Sequence, residues 1–334
     1  MGVLGLSAIV VLVSASLAAA LLQRRLRLVL LALIPVLAVY ALGFVTWVAP
    51  GETQRVALVQ GNIDQALKWQ RDQAVPNVRK HLRLSSQHWD ADILMWPEAA
   101  VTMYPQQAQG LLDSLGEQGR ATDTDIVLGI PGVTALPSGE YEFQNLAIGL
   151  GAARGRFAKH HLVPFGEYVP LESVLRGLID FFDLPMSSSS PGSAVQPNIR
   201  LRAGEAAMAI CYEIAYPESM RRRASEAAVL MTLSNDTWFG TSIGPLQHMQ
   251  IARMRAAENG RWLLRATNNG VTGIVDHRGR LVAQLPQFSE GVLRGSMQVM
   301  QGRTPYSVAG HWPVLLAVAG ILLWWFRARR RPAP

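Results

Sequence analysis

Long uncharged apolar runs at both ends limit how this chain can fold. Val3–Leu22 contains 20 residues and Leu28–Val48 contains 21, and each run is long enough to cross a hydrocarbon core of ~30 Å as a helix. A shorter run, Trp312–Phe326, contains two tryptophans near its end and is followed by arginines, as is typical where a helix leaves a bilayer. The first run lacks the basic start of a cleaved signal peptide. The pattern therefore predicts three transmembrane helices.

The net charge of +7 comes from the flanks of these runs and not from the segment between them. The flanking residues are Arg24, Arg25, Arg27, Arg327, Arg329, Arg330 and Arg331. The remaining Lys and Arg residues equal the 24 acidic residues in number, and all of the acidic residues lie in the middle of the chain. The charge therefore gives no indication of a nucleic-acid partner. Because arginines favour the cytoplasmic side of a membrane, the middle segment is predicted to lie outside the cytoplasm.

Composition divides the chain into a membrane region at 1–50, a soluble domain at 51–304 and a C-terminal helix with a basic tail at 305–334. In the middle part, short apolar runs alternate with polar segments of helix length, which favours an α/β fold. Strands are predicted at Arg55–Val59, Ile93–Trp96, Ile126–Ile130, Asn145–Leu150, Ala206–Cys211, Ala228–Leu233, Gly273–Asp276 and Val292–Met297. Helices are predicted at Val75–Trp89, Gln106–Gln118, Leu171–Phe181, Pro217–Ala224 and Pro245–Asn259. The turn-like segment Asp276–Arg280 predicts a β-hairpin.

Three short motifs place a reactive side chain at the predicted end of a strand or beside it: Trp96-Pro97-Glu98, Lys159-His160-His161 and Cys211-Tyr212-Glu213. Cys211 has no second cysteine to pair with, so it is either a small buried apolar residue or a nucleophile. Glu98 is the candidate base for its thiol. Lysine is scarce in this chain, and the compact ammonium of Lys159 suits a thiolate or an oxyanion. The alternative for Lys159 is an ordinary surface lysine.

The neighbours of these motifs offer further candidate residues. The backbone N–H of Tyr212 follows the nucleophile and is a candidate oxyanion donor, although an ordinary strand-to-helix turn would also place it there. Glu213 either supports catalysis or pairs with an arginine such as Arg253, and both interpretations stay open. The adjacent His160 and His161 side chains diverge, so they predict no metal site. We expect neither a metal nor a cofactor.

Several large apolar residues fall in predicted loops or at helix ends, where they either pack in the core or contact an acyl substrate. They are Trp69, Trp238, Phe239, Phe181, Phe182 and Met186. In a domain tethered to a bilayer, such residues can enter the interface. We therefore expect the mouth of the active site to open toward the membrane, with Trp238, Phe239 and the Phe181–Met186 stretch at its rim.

Longer strings extend the three motifs and carry a resemblance. They are Val59-Gln60-Gly61-Asn62, Leu162-Val163-Pro164-Phe165-Gly166-Glu167-Tyr168-Val169-Pro170, Ser234-Asn235-Asp236-Thr237-Trp238-Phe239-Gly240 and Thr267-Asn268-Asn269-Gly270. With the flanking spans, they resemble the apolipoprotein N-acyltransferase family of the nitrilase superfamily over residues 50 to 334. The resemblance implies an αββα sandwich and a Glu98, Lys159 and Cys211 triad. It also implies that Glu167 helps to position that triad.

The resemblance further implies a reaction, in which Cys211 takes an acyl chain from a phospholipid as a thioester. The chain then passes to the N-terminal amine of a diacylglyceryl-modified apolipoprotein cysteine. The implied location is the inner membrane, with several spans and a periplasmic catalytic domain. One alternative is a membrane-tethered amidohydrolase, which would use water as the acceptor. Another is an inactive, truncated binding module.

Overall fold

The computed structural model describes residues 2–136, 139, 141–170 and 189–329, and it divides into two compact units. One unit comprises Met1–Ala49, Glu258–Gly260 and Gly302–Pro334, and the other comprises Pro50–Ala257 and Arg261–Gln301. The helices are α1 (Gly2–Gln23), α2 (Arg27–Leu42), α3 (Gln65–Lys68), α4 (Ala74–Ser85), α5 (Gln109–Ala121), α6 (Pro217–Ala224), α7 (Gly244–Asn259), α8 (Pro305–Ala309) and α9 (Trp312–Arg329). The strands are β1 (Val48–Gln60), β2 (Ile93–Met95), β3 (Asp125–Ala135), β4 (Tyr141–Gly151), β5 (Arg156–Ala158), β6 (Ile199–Leu201), β7 (Gly204–Ile210), β8 (Ala227–Ser234), β9 (Leu263–Thr267), β10 (Gly273–Val275), β11 (Leu281–Gln284) and β12 (Gly291–Gly302).

The first unit contains the apolar helices. Among the described residues, α1 and α9 are long and apolar enough to cross a membrane. Helix α2 is shorter, with 16 residues, because it ends at Leu42 and Gly43 follows. The predicted second span, which continued to Val48, is therefore wrong in its C-terminal bound, and β1 begins at Val48 instead. Beyond Gly43 the β-branched Val45 and Thr46 favour extended backbone over helix.

The second unit contains two six-stranded sheets, with strand orders β12-β1-β2-β3-β4-β5 and β11-β10-β9-β8-β7-β6. Strands β1, β2 and β3 pair in parallel, and so do β7, β8 and β9. Antiparallel strands extend each parallel group, and β10 and β11 form the predicted hairpin. All eight predicted strands are present. The prediction missed β5, β6 and β9.

The core lies in three layers that follow from this pairing. Buried side chains from both sheets, such as Leu58 and Met231, form the central layer. Helices α4 and α5 cover the outer face of the first sheet through Val78 and Leu115. Helices α6 and α7 cover the second sheet in the same way. The second unit is therefore the predicted αββα sandwich, while the predicted helix Leu171–Phe181 lies outside the described residues.

Candidate active site

Cys211 stands at the end of β7, where the chain turns sharply. Its φ of 52° lies in the left-handed region. Residues other than glycine rarely adopt this backbone conformation, and those that do are often at functional sites. The turn is braced on both sides, because Ile210 N–H donates to Glu213 Oε2 at 2.9 Å and the Cys211 carbonyl lies 3.0 Å from His248 Nε2. The backbone therefore presents the thiol beyond the carboxyl end of a parallel strand.

Glu98 occupies the corresponding position after β2 and is 6% exposed. Its Oε1 accepts a hydrogen bond from Asn145 Nδ2 at 2.6 Å and lies 3.5 Å from Lys159 Nζ. Its backbone carbonyl accepts from Lys68 Nζ at 2.9 Å. Ala99, the next residue, has a φ of 46°, so this turn is also strained. Buried contacts therefore fix both the carboxylate and the backbone of Glu98.

Lys159 follows β5 and is almost completely buried. Its Nζ lies 2.6 Å from Glu167 Oε1, and the other oxygen of Glu167 accepts from Val163 N–H at 2.9 Å. Burial opposes the charge of Lys159, but the charges of Glu98 and Glu167 outweigh it and raise the pKa of this lysine. Lys159 is therefore a fixed ammonium.

The thiol of Cys211 is neutral at rest. Burial raises its pKa to about 12, and the negative charges of Glu98 and Asp236 act in the same direction. The charge of Lys159 and a hydrogen bond with Ser234 act against them. Because the thiolate is the reactive form of a cysteine, this sulfur would need a base in order to act as a nucleophile.

Glu213 links the lysine motif to the cysteine turn. Its Oε1 accepts from the backbone N–H groups of His160 and His161 at 2.9 and 3.2 Å, while its Oε2 accepts from the strand before Cys211. Burial alone would raise its pKa, but the side chain of His161, the charge of Arg223 and the backbone hydrogen bonds together lower it. The alternative partner Arg253 donates to the Gly279 carbonyl instead.

The structure places the remaining predicted residues in different settings. Trp69 lines a cavity of about 540 Å³. Trp238 and Phe239 are 60% and 46% exposed, so neither is a core residue. The side chain of Tyr212 is partly exposed, with its ring edge-on to that of Tyr216. Phe182, with Phe181 and Met186, lies outside the described residues.

Sequence reasoning missed two residues that contact Glu98. Asn145 binds its carboxylate, and the carbonyl of Asn145 also accepts from Lys159 N–H at 2.8 Å. Lys68 is buried, and burial lowers its pKa to about 8 although the charge of Glu98 opposes that shift. The scarcity of lysine applied to Lys68 as much as to Lys159 and could have identified it. No local pattern marked Asn145.

A second missed group lies behind Cys211. Asp236 Oδ1 is 2.9 Å from His248 Nδ1, and its Oδ2 accepts from Arg265 Nη2 at 2.8 Å. Burial would raise the pKa of Asp236, but Arg265 and His248 outweigh it and lower that pKa. Ligand atoms of Cys211, Asp236 and His248 lie within 4.8 Å of one another. The arginine and the engaged ring nitrogens oppose a metal ion there, so the group suits the support of the cysteine turn better.

Comparison with known proteins supports a common ancestry for the second unit. The carbon-nitrogen hydrolase family matches residues 55–304. The chain is 47% identical over 284 residues to the apolipoprotein N-acyltransferase of Pseudomonas aeruginosa (strain LESB58), covering 85% of this chain and 55% of the relative. It is 46% identical over 305 residues to the apolipoprotein N-acyltransferase of Vibrio vulnificus (strain CMCP6), covering 88% and 60%. The chain thus spans little more than half the length of these curated relatives.

Solved structures share the fold at low sequence identity. Saccharomyces cerevisiae Nit3, a member of branch 10 of the nitrilase superfamily, matches with a TM-score of 0.55 and 19% identity, over 75% of this chain and 91% of Nit3. A carbon-nitrogen hydrolase from Helicobacter pylori G27 matches with a TM-score of 0.53 and 14% identity, over 74% and 89%. These matches confirm the nitrilase-like sandwich.

Proposed function

Since the chain belongs to the carbon-nitrogen hydrolase family, we propose that it transfers an acyl chain from a phospholipid to the N-terminal amine of a diacylglyceryl-modified lipoprotein cysteine. The observation that carries the proposal is the 3.5 Å contact between the Glu98 carboxylate and the buried Lys159 ammonium, whose charges both act on the Cys211 thiol. That set suits acyl transfer through a thioester. The names of the relatives supply the substrate class.

The first half-reaction forms the thioester. Glu98 takes the thiol proton as Sγ of Cys211 attacks the ester carbonyl, and the oxyanion that forms lies against Lys159 and the backbone N–H of Tyr212. Collapse of this intermediate breaks the carbon–oxygen bond of the ester. Glu98 then returns its proton to the departing glycerol oxygen. Glu167 holds Lys159 in place through their 2.6 Å contact.

The second half-reaction reverses these roles. The lipoprotein amine attacks the thioester, its proton passes to Glu98, and the carbon–sulfur bond breaks. The leaving sulfur regains its proton from Glu98, which restores the resting site. In this proposal the apolar helices hold the chain in the inner membrane with the catalytic domain on its periplasmic side, as the position of the arginines supports.

Mass spectrometry of the purified chain with phospholipid tests the proposal. We expect an acyl adduct on Cys211 that disappears when a diacylated lipopeptide is added, with a triacylated lipopeptide as the product. Cys211→Ala should give no adduct. An adduct lost to water without an acylated peptide would instead indicate the amidohydrolase, and no adduct under any of these conditions would indicate a binding module.

A further inference from the structure

The cavity beside Glu98 is lined by several residues that have no role in the proposed proton transfers. It measures about 540 Å³, and its lining includes Trp69, Arg71, Ala99, Tyr104, Phe143 and Asn145. Ala99 directly follows Glu98, and Asn145 donates to the carboxylate of Glu98. The cavity therefore adjoins the side of the site that holds the proposed base.

Arg71 gives this cavity a positive charge. It is the only charged residue among those lining the cavity in the described part of the chain. It is exposed, and it has no ion-pair partner among the described residues. The rest of the wall is aromatic, apolar or amide, with Tyr104 and Phe143 ring centroids 6.1 Å apart. An anion that enters would therefore meet a guanidinium and, among the lining residues that the structure describes, no carboxylate.

The direction of proton transfer indicates which part of the donor occupies the cavity. Glu98 returns a proton to the glycerol oxygen that leaves, so the glycerol has to lie on the Glu98 side of the sulfur. A phospholipid carries its phosphodiester on the same glycerol. Guanidinium groups bind phosphate through paired hydrogen bonds.

We propose that Arg71 binds the phosphodiester of the acyl donor in this cavity, an inference that rests on the proposed function. The headgroup and glycerol then lie between the aromatic residues, and the scissile ester faces Cys211. Arg71 acts as a binding residue, because it contacts a part of the donor that does not react. Its removal should therefore weaken donor binding more than it slows the acylation step.

Two donors with the same acyl chain test this assignment in single-turnover acylation of Cys211. One is palmitoyl phosphatidylethanolamine in mixed micelles, and the other is p-nitrophenyl palmitate, which is a neutral ester. With the phospholipid, Arg71→Gln should lower the acylation efficiency, which is the rate constant divided by the half-saturating concentration, about tenfold. Most of this loss should come from a higher half-saturating concentration. The nitrophenyl ester should react as with wild type. Arg71→Lys keeps the charge but not the planar fork, so its rate with the phospholipid should lie between those of wild type and Arg71→Gln.

Arg79→Gln is the matched control, because Arg79 is also exposed but does not line the cavity. It should leave both donors unchanged. Equal losses with both donors in Arg71→Gln, or no loss with the phospholipid, would overturn the assignment. A wild-type chain that reacts with the nitrophenyl ester and not with the phospholipid would instead refute the proposed donor, and the Arg71 assignment with it.

Discussion

Glu98→Gln should change two reactions of Cys211 in opposite directions. The charge of Glu98 helps burial to raise the thiol pKa to about 12, so removing it should lower that pKa. A neighbouring like charge is typically worth ~1–3 pKa units, which raises the thiolate fraction at pH 8 by roughly 10-fold to 1,000-fold. Intrinsic nucleophilicity falls as the thiol pKa falls, and a Brønsted slope of ~0.5 leaves alkylation by iodoacetamide about 3-fold to 30-fold faster.

Acylation by phospholipid should become slower in the same variant. General base catalysis contributes ~10²–10⁴-fold, and glutamine can neither take the thiol proton nor return it to the glycerol oxygen. The larger thiolate fraction offsets part of this loss. The net rate of acylation should therefore fall by roughly 3-fold to 3,000-fold, while alkylation rises.

Both rates can be measured at pH 8 in the same micelles by intact-protein mass spectrometry. Glu290→Gln is the control, since Glu290 pairs with Lys80 and Arg83 on the surface and should leave both rates unchanged. If alkylation and acylation of Glu98→Gln both fell, or both rose, Glu98 would not be a base whose charge also restrains the thiol.

Three further changes test other parts of the site. Asn145→Leu removes the 2.6 Å hydrogen bond to Glu98. Because a hydrogen bond to a charged group is worth ~1.5–3 kcal/mol, acylation should become about 10-fold to 100-fold slower. Single-turnover mass spectrometry measures this loss, and an unchanged circular dichroism spectrum is the control. The pKa of Lys68 is lowered to about 8 from 10.5, so the unfolded chain binds more protons between these values and stability should rise with pH across that window. Lys68→Met should remove this rise, as melting temperatures from pH 7 to 10 would reveal, and an identical pH dependence in both proteins would contradict it. Trp238 is 60% exposed, so Trp238→Asp should slow acylation from bilayer lipid far more than it lowers the melting temperature; equal losses of activity and folding would indicate a packing role.

The positions of Glu98 and Cys211 could be predicted because each follows a run of buried apolar residues, β2 and β7. The carboxyl ends of parallel strands commonly present functional groups. The missed strands lacked that signal. Strands β5 and β6 are short and each contains an arginine, Arg156 or Arg200, so neither forms an apolar run. Strand β9 contains the buried Arg265, whose charge interrupts the apolar pattern.

The bound of the second apolar helix illustrates a different limit. Hydropathy measures how readily side chains move from water into an apolar environment. It therefore does not show whether the backbone after Leu42 is helical or extended. The residues after Gly43 are as apolar as those before it, yet Val48 is already in β1. Whether a run continues as a helix depends on a glycine and on strand pairing that arises later in the chain.

The polar contacts within the site could not be predicted, because they join residues that are far apart in sequence. Lys68 and Asn145 lie 30 and 47 residues from Glu98, so no motif or periodicity connects them. Their effect on the chemistry appears only after the sheets have formed. The motifs therefore identify which side chains can react, whereas the fold determines which of their charges and protons are stabilised.

Asn145 and Glu213 show how that stabilisation sets the geometry of the site. Asn145 holds the Glu98 carboxylate with its side chain and the Lys159 backbone with its carbonyl, so one residue fixes two motifs relative to each other. Glu213 does the same for the lysine motif and the cysteine turn. A buried charge without partners destabilises the folded state. These two residues supply such partners and are not changed by the proposed reaction. Lys159 can therefore stay charged near a neutral thiol, which is the state that the proposed acyl transfer requires at its start.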